Sequence, residues 1–286
     1  FIILESRLPK AVTALLCGCS LAVCGLMLQA VFRNPLADPS ILGISSGAGL
    51  GVAFVMLLYG GSVSVGMLSI GGFATVLAAA FIGATAVTLL MFSLSSIIRS
   101  DAMLLIAGVM VGYLSSSIIV LLSYYASEEG LRAYTLWGMG NFASVSTERL
   151  PLFSIIAVVC LSASVLLVKS LNILSLGTLY AENLGVNTRQ LRGTVLIVTG
   201  ILTALTTSFC GPVAFIGLAV PHIARMALHT DDYRKLLPAT ILTGGGVAMA
   251  CNLACTMTPS GTMLPVNAVT PVIGAPVILY VMTKRR

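Results

Sequence analysis

Charge is what this sequence has least of. Of its 286 residues only 8% are Asp, Glu, Lys or Arg, against roughly 25% in a soluble domain. A water-soluble fold of this size needs far more polar surface, so that class is excluded. Histidine occurs twice and tryptophan once. There is no GxxxxGK[ST] loop, so the chain does not cradle ATP phosphates in the usual way. An HExxH motif is absent as well. Cys17, Cys19, Cys24, Cys160, Cys210, Cys251 and Cys255 all lie in apolar context, without the paired spacing of metal ligands. They read as small buried packing residues. The net charge of +6 is spread through the connections. It lacks the patches and interleaved aromatics of a nucleic-acid-binding surface.

What is there is hydrophobic residue, 58% of the chain, in stretches near the ~20 residues that cross a bilayer as a helix. They run over Leu8–Val31, Ile41–Tyr59, Gly66–Phe92, Ala102–Tyr125, Leu150–Val168, Gly193–Cys210, Leu236–Met257 and Leu264–Thr283. A ninth, GPVAFIGLAVPHIARMAL from Gly211 to Leu228, is shorter. It reads as a broken helix that still crosses, buried among its neighbours. The expected fold is an all-α transmembrane bundle of about nine passes, one domain over residues 1–286.

Lys and Arg set its orientation. With the N-terminus outside, the inner connections hold Arg33, Arg99, Lys169, Arg189, Arg192, Arg225, Arg234, Lys235, Lys284, Arg285 and Arg286. The outer ones hold Arg7, Lys10, Arg132 and Arg149. The bias requires an odd number of passes and puts the C-terminus in the cytoplasm. The longest outer connection, about Ala126–Arg149, carries Tyr134 and Trp137, which suit a short interfacial helix with Trp137 at headgroup depth. The longest inner one, about Lys169–Arg192, reads as two short helical runs around Gly185.

Gly43, Gly47 and Gly51 form one small-residue ridge, and Gly108 with Gly112 another. Such ridges let helices approach closely, within the chain or at a dimer seam. The middles of the passes hold almost no ionisable residues, whereas a proton- or ion-coupled carrier buries them there. His222 and His229, near the inner end of the short stretch, suit contacts to carbonyls at a helix end better than catalysis.

Several strings resemble the permeases of bacterial ATP-binding-cassette importers for ferric siderophores, haem and cobalamin. These are RLPK at Arg7–Lys10, GLMLQAVFRNPLADPSILGISSGAGLG at Gly25–Gly51, and LGTLYAENLGVNTRQLR at Leu176–Arg192. GPVAFIGLAVPHIAR at Gly211–Arg225 and LPVNAVTPVIGAP at Leu264–Pro276 complete the series. The resemblance implies a ten-helix subunit, so the family's first helix is expected to be missing here. It also implies a second permease subunit, two cytoplasmic ATPase subunits that hold ATP and Mg, and a periplasmic binding protein. The setting would be the bacterial inner membrane, with no cofactor or metal in this chain.

The resemblance carries roles to particular residues. Arg7 and Lys10 match outer cations that dock the binding protein, by steering an acidic partner; interfacial snorkelling is the alternative. A further outer arginine expected before the last helix is Thr256 here. Asn34, Pro35 and Leu36 match a constriction at the inner mouth, or simply mark a helix stop. Ser100 and Asp101 match a second part of that gate, with Asp101 a departure from the pattern. Gly177, Ala181, Leu184, Gly185, Arg189 and Arg192 match the segment that couples to the ATPase, about residues 170–192, with basic residues reaching acidic groups on it. An ordinary positive inner loop is the alternative. Asn267 stands where the family has Gly, and there it would narrow or polarise the path. The function expected is inward passage of an iron chelate, haem or corrinoid. A stand-alone secondary carrier or passive channel is the rival, and an intramembrane enzyme lacks paired catalytic residues.

Overall fold

The computed structural model describes residues 3–59, 63–65, 68–70, 72–98, 100–257 and 264–284. A π-helical turn, Ile3–Arg7, leads into α1 (Leu8–Val31) and then α2 (Ile44–Tyr59). A short antiparallel hairpin pairs Val63–Val65 with Leu68–Ile70. After it come α3 (Gly72–Ile97), α4 (Asp101–Tyr125), α5 (Glu128–Gly138), α6 (Leu150–Leu166), α7 (Val168–Ser175) and α8 (Thr178–Asn183). The chain closes with α9 (Thr188–Cys210), α10 (Ile216–Leu228), α11 (Tyr233–Thr256) and α12 (Val266–Lys284).

Each of the nine apolar stretches corresponds to a helix. Five helices among the described residues are long and apolar enough to cross a membrane: α1, α3, α4, α9 and α11. The α6–α7 pair, bent by 46°, makes a sixth, and α2, α10 and α12 are shorter apolar helices. The third stretch is displaced from its expected start at Gly66. LSI near its start and VSV just before it alternate apolar and polar and pair as strands, so the helix starts only at Gly72. Of the cations counted for orientation, Arg99, Arg285 and Arg286 lie outside the described residues.

Burial separates a centre from a periphery. The most apolar windows of α1 and α9 are each 78% buried, whereas that of α4 is 22% buried. Lipid tails are as apolar as leucine, so close contact rather than escape from water must hold such helices together. Glycines provide it. A Cβ on Gly18 of α1 would stand 2.3 Å from the Gly244 carbonyl oxygen of α11. One on Gly25 would stand 1.8 Å from the Gly217 oxygen of α10. The ridges seen in the sequence are used within the chain. Gly47 and Gly51 lie against Gly83 and Ala79 of α3, and Gly43 lies against Gly108 of α4.

Candidate functional site

The connection between α6 and α9 holds two short helices, α7 and α8, which part at Gly177 rather than at Gly185. Gly177, at φ +130°, separates α7 from α8, and Gly185, at φ +84°, separates α8 from α9. Both values lie where a side chain is disfavoured and glycine is not. Ala181 faces inward and is fully buried. Leu179 is 79% exposed, and Leu176, Tyr180 and Leu184 are exposed beside it. A one-and-a-half-turn helix thus shows an apolar face to its surroundings.

Two polar assemblies flank it. On one side Asn172 of α7 donates to the Asp232 carboxylate at 2.7 Å and accepts from the Tyr233 amide at 2.8 Å. Arg33, just past α1, donates to the Leu174 carbonyl at 3.1 Å. Arg225 of α10 donates to Gln29 Oε1 at 2.8 Å and faces Asp231 at 3.5 Å. Gln29, Arg33, Arg225 and Asp231, with Pro35, Gly177 and Tyr233, line a cavity of 510 Å³. On the other side Arg189 donates to the Ser96 carbonyl, and Arg192 pairs with Asp101 and donates to the Ile98 carbonyl. A second cavity, of 650 Å³, opens there between α3, α4, α8 and α9.

The expected gate residues divide between these assemblies. Asn34, Pro35 and Leu36 form a tight turn after α1, in which Asn34 Oδ1 accepts from the Leu36 amide at 2.9 Å. Pro35 and Leu36 are exposed, and the Pro35 carbonyl meets His222 Nε2 of α10 at 2.9 Å. His222 therefore does contact a carbonyl, as the sequence suggests. His229 caps the end of α10. Ser100 caps α4 and accepts from the Met103 amide, with Asp101 next to it. Arg189 and Arg192, expected to reach acidic groups on an ATPase, also have partners within the chain, and Arg189 stays exposed. Uncapped carbonyls at the end of α3 and the Asp101 carboxylate attract them first.

The other end differs from expectation too. Arg7 is exposed, but Lys10 is 9% exposed, set against α11 near Cys255. Only Arg7 of that pair offers a cation at the surface of this subunit. The short helix expected in that connection is present as α5, and its Trp137 stacks on Tyr134 at 6.2 Å, half-buried. Asn267 is a fastener. Its Oδ1 accepts from the Ala214 amide at 3.1 Å and its amide donates to the Gly138 carbonyl at 3.4 Å. It ties α12 to the end of α5 and to the unwound stretch 211–215. Asp38 escaped the sequence reading. It is buried beside Gly217 and accepts from the Ser40 amide and hydroxyl. Burial pushes its carboxyl above the ordinary value, against those two hydrogen bonds.

The vitamin B12 import system permease protein BtuC of Photorhabdus laumondii is 33% identical over 287 residues, covering 99% of this chain and 82% of the relative. The hemin transport system permease protein HmuU of Yersinia pestis is 33% identical over 284 residues, covering 99% and 83%. A solved structure described as an inward-facing conformation of a metal-chelate type ABC transporter superposes with a TM-score of 0.88 at 31% identity, covering 99% of this chain and 87% of the other. The FecCD transport family profile matches residues 1–284. With that match over residues 1–284 and two relatives at 33% identity covering 99% of it, the chain belongs to the FecCD transport family.

Proposed function

We propose that this chain is the permease subunit of an ATP-driven importer that passes a corrinoid, haem or ferric siderophore into the cytoplasm. The exposed apolar face of α8 carries this reading. Leu179, Tyr180 and Leu184 stand in the open on a helix held by a glycine swivel at each end. An apolar patch in such a place marks a protein partner. The charge count puts it on the cytoplasmic side, where ATPase subunits dock. Two of them would serve two permease subunits, and ATP and Mg would sit on the ATPases.

Family membership supports the rest. A periplasmic binding protein would bring the cargo to the outer end, where Arg7 offers a cation. Nucleotide binding would bias two packings of the helices, opening the path to one side and then the other. The turn Asn34–Leu36 and the Ser100–Asp101 corner would form the inner constriction. The C-terminus would be cytoplasmic, and no step involves covalent chemistry in this chain.

The test is reconstitution in liposomes with and without the ATPase and binding protein. Uptake of cyanocobalamin, haemin or a ferric hydroxamate should require both partners and ATP. Energy-free flux through the chain alone, unaffected by the ATPase, would make it a carrier or channel and overturn the reading.

A further inference from the structure

Helix α8 sits between two sets of polar ties at this end of the bundle. Through Asn172, Asp232 and Arg33, α7 is tied to the start of α11 and the end of α1. Through Arg189 and Arg192, the first turns of α9 are tied to the end of α3 and the start of α4. The positive-φ glycines Gly177 and Gly185 mark the two joints. The suspected gate follows the same division. Pro35 belongs to the α1 side and is held by His222 of α10. Ser100 and Asp101 belong to the α4 side.

The second tie has one ion pair at its centre. The Arg192 and Asp101 side chains keep 16% and 27% of their exposure. Partial burial leaves their attraction less screened than at an open surface. Asp101 also lies in the first turn of α4, where a carboxylate complements the positive end of the helix. Arg192 reaches past it to the Ile98 carbonyl, so one guanidinium holds both sides of the α3–α4 corner.

From this geometry we infer that Arg192 and Asp101 form a positioning pair that carries a displacement of α8 into the α3–α4 corner. It acts on the Ser100 side of the inner mouth, whereas the Pro35 side is held by His222. The pair touches neither cargo nor nucleotide; it acts through the helices it joins. The inference rests on the importer reading.

The test uses the complete transporter in liposomes and measures cargo taken up per ATP hydrolysed. Arg192→Met and Asp101→Asn should each assemble with the ATPase and hydrolyse ATP, while uptake per ATP falls about tenfold, the size of a lost coupling contact. The double exchange R192D with D101R should recover most of that loss, and R192K should keep a ratio within about twofold of the parent. Single variants with an unchanged ratio would overturn the inference. So would a loss of assembly that the exchange does not repair, because the pair would then serve folding alone. If the unaltered transporter shows no ATP-dependent uptake, the importer reading fails instead.

Discussion

Where α12 begins, Asn267 joins three segments through uncharged amide and carbonyl groups, and backbone bonds from Val266 and Asn267 to Gly140 and Met139 reinforce the joint. At the opposite end of the bundle the joints are ionic or nearly so. Arg192 meets Asp101, Arg225 meets Gln29 and Asp231, and Arg33 meets a carbonyl. Neutral hydrogen bonds are short-ranged and fix one geometry. Charged groups attract over several ångströms and can exchange partners through water. The Asn267 end is thus built to hold one arrangement, and the opposite end to be remade. On the proposed reading, the end to be remade is the one that faces the ATPase.

Neither end should matter as much as the middle. Gly25→Val would place a branched side chain where the Gly217 carbonyl already lies within 1.8 Å of a Cβ. Pushing α1 and α10 apart should cost about 3 kcal/mol or more, read as loss of the thermal transition of the purified subunit in detergent. A mild effect would mean that the ends, not the glycine contacts, hold the bundle. Next comes Arg225→Met. It strips the partner from Gln29, which is 4% exposed, and should cost about 1–3 kcal/mol. Asn267→Ala should cost about 1–2 kcal/mol, for two neutral bonds at a half-exposed site. Salt sharpens the contrast. Raising ionic strength from about 0.05 to 0.5 M should shrink the penalty of the Arg225 variant and leave that of the Asn267 variant unchanged. Equal salt dependence in both would remove the difference between the ends.

Helix positions were legible in the sequence because apolar length alone marks them, and α1 falls on the same residues in both readings. Small-residue spacing also announced the ridge of Gly47 and Gly51. The partners of charged residues were not legible. Arg192 and Asp101 are 91 positions apart, and nothing local distinguishes an arginine that turns inward from one that reaches for another chain. Lys10 was hidden for a similar reason: its burial depends on α11, far along the chain. Gly25 and Gly185 look alike in sequence yet do opposite things. One is excluded from substitution by a neighbouring backbone, the other by its own φ in open space. The Asn267 departure was visible, but its meaning required the position of residues 211–215.

The smallest expected effect concerns pH. Asp232 caps α11, and its carboxylate accepts from the Arg234 amide and from Asn172. Those hydrogen bonds, with the charges of Arg234 and Lys235, hold its carboxyl below the ordinary aspartate value. A depressed carboxyl contributes stability that is fully present above its unfolded value and is lost as pH falls through its folded one. The α7–α11 tie should therefore loosen below about pH 4, the ordinary carboxylate range. Proteolysis or hydrogen exchange at residues 168–183 would report the loosening. Asp232→Asn should raise exchange there at neutral pH and remove this part of the acid dependence. The Asn267 joint carries no titratable group, so exchange at 211–215 should not follow the same acid titration. A matching acid response at both joints would show that the ends share one weakness, and the division into a fixed and a remade end would fail.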